Sequence, residues 1–150
     1  MFGGFSPSAV AQESKSVWVC QSIGGGGMEP IGDREGHSIL VSQGSCRIDG
    51  GPLSGGVSTD MSVCEWDGAK AVRLSVTGVI RKPGATVVYG GASANLTLAI
   101  SDGKVSGWAA SGQDKYLLAT GSAAPLTGRS FTWTAKPTGA GQFAVEVKDE

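Results

Sequence analysis

One histidine, three widely spaced cysteines and few charged side chains leave this chain of 150 residues without the groups that several chemistries need. Cys20, Cys46 and Cys64 include no C-x₂₋₄-C pair and His37 stands alone, so no metal site is expected. No cofactor is expected either. The glycine run "IGGGGM" lacks the Lys-Ser/Thr that follows in a phosphate loop, and no Gly-x-Gly-x-x-Gly joins a strand to a helix. A Gly-x-Ser-x-Gly elbow is missing and the histidine has no visible nucleophile partner, which disfavours a serine triad. A formal charge of −1 removes the electrostatic case for nucleic acid or an acidic membrane surface. No apolar run approaches the roughly 20 residues that a membrane-spanning helix needs, so no membrane span is expected.

What the chain has instead is 25 glycines and an apolar fraction of 40%, rich in valine. β-Branched residues suit pleated strands, and glycine supplies the positive φ of tight turns. Alternating apolar patterns predict strands over 16–23, 37–48, 57–66, 70–81, 86–89, 94–101, 104–111, 115–120, 130–136 and 142–148. Between them lie "DGGPLSGG", "WDGAK", "RKPGA", "SDGK", "SGQDK", "AAPLTG" and "KPTGAG", of which the Asp-Gly pairs are strong hairpin signals. Hairpin-short connections predict an all-β fold: a single antiparallel β-barrel of about 8–10 short strands over residues 15–150, with a β-sandwich as the alternative. Residues 1–14 read as the tail of an export signal, because Ala9-Val10-Ala11 has the small-x-small pattern of a cleavage site, or as a flexible arm. The first reading implies a secreted or periplasmic protein in which a disulfide can form.

Parity along the strands then separates the faces. In 57–66 the odd positions Val57, Met61 and Val63 point to a buried odd face that includes Glu65, whereas in 70–81 the apolar set Val72, Leu74, Val76 and Ile80 turns Arg73 to solvent. If Cys46 and Cys64 pair as a disulfide, Arg47 and Glu65 become diagonal neighbours on that apolar face, each lowering the other's desolvation cost. They would orient a ligand or act as an acid/base pair. Cys20 pairing with either of the others, and three reduced cysteines, are the alternatives. His37 follows Asp33 and Glu35 at a strand start, where a His-carboxylate couple would titrate near neutrality. Trp108, Tyr116 and Trp133 lie on separate strands and would gather around one pocket in a barrel, stacking on a ligand or filling the core.

Three functions follow. The first is a barrel that binds a small, mainly apolar or aromatic ligand, with Arg47, Glu65, His37, Trp108, Tyr116 and Trp133 as binding candidates. The second is a cofactor-free isomerase or cyclase with its acid/base residues inside the barrel. The third is a non-enzymatic structural or interaction protein with a filled barrel whose outer face meets a partner or another copy, which admits a homo-oligomer.

Overall fold

The computed structural model describes residues 14–91 and 93–150. The signal-like Ala9-Val10-Ala11 segment therefore lies outside the described residues. The strands are β1 (Lys15–Gly25), β2 (Glu29–Pro30), β3 (His37–Asp49), β4 (Val57–Asp67), β5 (Lys70–Lys82), β6 (Ala85–Gly91), β7 (Ala94–Ser101), β8 (Lys104–Ala119), β9 (Ser130–Gly139) and β10 (Gln142–Asp149). All pairings are antiparallel. The order β1-β10-β9-β8-β6-β5-β4-β3 is closed by pairing of β1 with β3, giving an eight-stranded barrel with two extra strands. The barrel expected from the hairpin-short connections is thus the architecture formed, and the sandwich is not. Asp102 and Gly103 turn the β7–β8 hairpin with φ of 52° and 73°, the positive pair that a type I′ turn requires.

The two extra strands continue longer ones. β1 pairs with Ser42–Asp49 of β3, while β2 pairs with Ser38 and Ile39 further along the same edge, so the glycine run interrupts one extended strand. Likewise β6 and β7 occupy successive halves of the slot between β5 and β8. Two strands expected at 104–111 and 115–120 are instead one, β8, because Gly112–Lys115 keep their pairing with β9 through the "SGQDK" stretch.

One end of the barrel is filled. Leu53 from the β3–β4 turn and Ala123 and Leu126 from a 3₁₀ turn, Gly121–Leu126, pack with Ile48, Ile80 and Val87. Full burial of a side chain such as Ile48 or Ile80 contributes about 1.5–3 kcal/mol. Above this plug, Trp18, Tyr89, Tyr116 and Phe131 form an aromatic layer, with Tyr116 and Phe131 ring centroids 4.6 Å apart and Trp18 and Tyr89 edge to face at 5.6 Å.

Two face assignments from parity are overturned. In β4 the even positions Ser58, Asp60, Ser62, Cys64 and Trp66 face the interior, and Val57 and Met61 face out, because the barrel lumen accepts small and polar residues while valine satisfies the outer pleat. In β5 a register shift between Val63 and Cys64 of β4 leaves Leu74 and Ser75 both exposed. This β-bulge resets the alternation, so Arg73 points inward together with Val76, Gly78 and Ile80 and is buried rather than solvated.

Candidate functional site

The half of the barrel away from the plug is hollow. A cavity of about 400 Å³ begins at Trp18 and Phe131 and runs toward Met28, Leu98 and Trp108 at the other end. Trp66, Trp133 and Phe143 also line its wall, and Trp108 meets Phe143 edge to face at 5.7 Å. Met28 reaches this space from the break between β1 and β2.

Two sets of charged side chains stand in this largely apolar space. Arg73 of β5 makes a two-pronged ion pair with Asp114 of β8: Nη1 donates to Oδ2 at 3.2 Å and Nη2 donates to Oδ1. The guanidinium also lies over the Trp133 ring, 5.2 Å from its centroid. The second group is Asp60. Its Oδ2 accepts from the Tyr89 hydroxyl at 3.1 Å, and Ser58 Oγ, 2.9 Å from that hydroxyl, donates to it in turn. Burial pushes the Asp60 carboxyl above the ordinary range, against the pull of the Tyr89 hydrogen bond and the Arg73 charge. Burial likewise raises the Tyr89 phenol, so it stays protonated and able to donate.

Glycine makes room for this network. Gly44 and Gly78 flank Asp60 in the ladder. A Cβ at Gly44 would lie 3.3 Å from Asp60 Oδ1, a Cβ at Gly78 would enter the Tyr89 ring, and one at Gly91 would strike the Asp114 carboxylate. The side chains of Trp66, Trp133 and Arg73 each keep a buried N–H with no hydrogen-bond partner among the described residues. Such unmet donors gather here, around the cavity wall, and each calls for an explanation.

A second cluster lies on the outside of the barrel where the β2–β3 hairpin meets β4. His37 is buried, with Nδ1 2.5 Å from Asp33 Oδ1 and Nε2 2.7 Å from Glu65 Oε1. Hydrogen bonds to Asp33 and then Glu65 raise the imidazole above its ordinary value, which favours the doubly protonated ring that can donate to both carboxylates. Arg34 completes the cluster with Asp33 at 2.9 Å and Asp67 at 3.1 Å.

The sequence-derived candidates separate accordingly. Trp108 and Trp133 line the cavity. Tyr116 belongs to the aromatic layer beneath it, where its hydroxyl donates to Asp149 Oδ1 at 2.6 Å. The Arg47–Glu65 pair does not form: Arg47 stands opposite Val57 and bonds Asp49 at 3.2 Å on the exposed surface, whereas Glu65 stands opposite Ile39 and serves His37. The disulfide that would have set their register is also different. Cys46 is bonded to Cys20, directly opposite on β1, and Cys64 is a buried free thiol. The pairing of β1 with β3 was the missing information. His37 does form a carboxylate couple, with Asp33 and Glu65 in place of Glu35. Asp60 and Asp114 were not singled out and Arg73 was expected in solvent, since only the bulge at Leu74 and the inward parity of β4 bring the three together.

Among the described residues no group of three or more His, Cys, Asp or Glu side chains is arranged to hold a metal ion. No helix among them is long and apolar enough to cross a membrane. No family model, no curated protein and no solved structure matches the chain.

Proposed function

We propose that the protein binds a small, mainly apolar molecule inside the barrel. The observation that carries this reading is the 400 Å³ hollow lined by Trp66, Trp108, Trp133 and Phe143 above a closed, well-packed end. Its volume falls in the range of ordinary ligand pockets, and its charged groups, Asp60 and the Arg73–Asp114 pair, stand among largely apolar walls. A hollow of that size favours binding over a barrel filled for purely structural ends. The Cys20–Cys46 disulfide is consistent with an oxidising, extracellular or periplasmic setting.

The test is a titration with a neutral apolar fluorophore, N-phenyl-1-naphthylamine, joined to native mass spectrometry of the purified protein for a retained small molecule. Saturable, blue-shifted emission with one site per chain is expected, lost in Ala110→Phe, which fills the cavity from β8. Binding that survives this filling, or no binding at all, would sink the reading.

Acid/base catalysis is a second reading, favoured by one observation: Asp60 is an interior carboxylate whose affinity for protons is raised by burial and which faces the cavity. Its test is turnover of the molecule that co-purifies, with Asp60→Asn abolishing the reaction while leaving binding in place.

A further inference from the structure

We infer that the ligand carries a protonated amine, seated on Asp60 and enclosed by the aromatic rings around it. The inference rests on the binding reading and names the chemistry of the ligand's inner end. The charges inside the barrel do not cancel. Arg73 and Asp114 satisfy each other through two hydrogen bonds, so the carboxylate of Asp60 is left over. Among the described residues it forms no ion pair, and its hydrogen bond comes from the neutral Tyr89 hydroxyl. A lone interior carboxylate is costly unless it takes up a proton or something of opposite charge meets it.

The surroundings fit a cation from the ligand. Gly44 and Gly78, beside Asp60 on both neighbouring strands, let the Asp60 carboxylate and the Tyr89 ring lie close against the backbone, and the carboxylate lines the cavity. Trp18, Tyr89 and Phe131 present rings close by, two of these ring pairs lying edge to face. Aromatic faces attract cations most strongly where water is excluded. An anionic ligand end would meet no unmatched positive charge, because the Arg73 guanidinium is already paired with Asp114, although its Nε–H has no partner among the described residues. A neutral hydroxyl would leave the Asp60 charge unmatched. The groups that set the field at Asp60 are the Tyr89 hydroxyl within hydrogen-bond reach, itself held by Ser58, and Arg73 and Asp114 at longer range.

Three probes with one apolar body separate the possibilities: 4-phenylbutylamine, 4-phenylbutan-1-ol and 4-phenylbutanoate, each titrated at neutral pH by intrinsic tryptophan fluorescence. The amine is expected to bind roughly tenfold or more tighter than the alcohol, with the carboxylate weakest. Asp60→Asn should remove the amine's advantage and leave the alcohol's affinity unchanged. Equal binding of amine and alcohol, or tightest binding of the carboxylate, would overturn the inference while leaving an apolar binding site in place. Failure of all three probes, and of the fluorophore above, would overturn the inference together with the reading beneath it. The wild-type series decides the matter even if the Asp60 variant does not fold.

Discussion

Arg73 and Asp114 pair across the point where β6 gives way to β7. β6 is bonded to β5 from Val76 onward and to β8 from Lys115 onward, while β7 takes over at Val72 and at Gly112. Among the described residues, Arg73, Leu74 and Ser75 have no ladder partner on that side. The ion pair therefore ties β5 to β8 on the inner surface just where the strand between them is interrupted. Gly91 at the end of β6 leaves the space that the Asp114 carboxylate needs to reach across.

Breaking that tie is expected to be costly. Arg73→Ala leaves Asp114 buried without its partner and should lower stability by about 3–5 kcal/mol in chemical denaturation. Replacing both residues together, as Arg73→Met with Asp114→Leu, should cost less than the single change, because no charge is stranded. Additive losses would show that the two side chains act independently.

Non-reducing mass analysis with a thiol label should find Cys20 and Cys46 joined and Cys64 unreactive until the protein is unfolded. Cys20→Ala with Cys46→Ala is expected to destabilise by roughly 3 kcal/mol, the entropy of closing a loop of this length. The damage should appear first as loss of amide protection along the β1–β3 pairing, which closes the barrel.

The His37 cluster gives stability a definite pH dependence. A histidine raised above its ordinary value of 6.5 contributes fully below that pH, and the contribution is lost as pH rises through the folded value. Asp33, lowered from 3.8 chiefly by its hydrogen bond to His37, contributes above that pH and loses its share as pH falls through the folded value. The hairpin tip is thus held most firmly at weakly acid pH. The thermal midpoint of the wild type should fall relative to that of His37→Gln as pH rises above 6.5. Parallel profiles would mean that the imidazole carries no charge in that range. Glu65→Gln should lower the imidazole titration followed by NMR.

Gly78→Ala is expected to cost about 1–3 kcal/mol, since the added methyl must displace the Tyr89 ring. Arg47→Ala, in contrast, should change stability by less than about 0.5 kcal/mol, because the side chain is exposed and pairs only with exposed Asp49. A large effect of Arg47→Ala on ligand binding would place the site on the outer surface instead.

The barrel itself was readable from alternation and turns because each of its hairpins is built from neighbouring segments, as with Asp102-Gly103 between β7 and β8. Which face lies inside was harder. Parity assumes that the more apolar face is buried, and β4 reverses this by pointing Ser58, Asp60 and Ser62 into the lumen. A hollow does not reward apolar packing as a filled core does, so the lumen tolerates hydroxyls and a carboxylate. In β5 the bulge at Leu74 shifts the count by one, which no inspection of Val72, Leu74 and Val76 alone reveals. The cysteine pairing depended on the closure of β1 on β3, a contact between segments separated by the long first connection. Trp108 and Trp133 were named only as large aromatics on separate strands, together with Tyr116; the structure sets them on adjacent strands β8 and β9 along the cavity and leaves Tyr116 in the layer beneath.

The filled end and the hollow end give the two halves of the molecule separate tasks. The plug of Leu53, Ile48, Ile80, Val87 and Leu126 secures the barrel without reference to what occupies the other half. Side chains such as Leu98, Trp108 and Phe143 are correspondingly released from holding the chain together. On the binding reading, exchanges among them would redirect the choice of guest while the scaffold keeps its shape, so that new specificities would be reachable by small steps from a fold that stays intact.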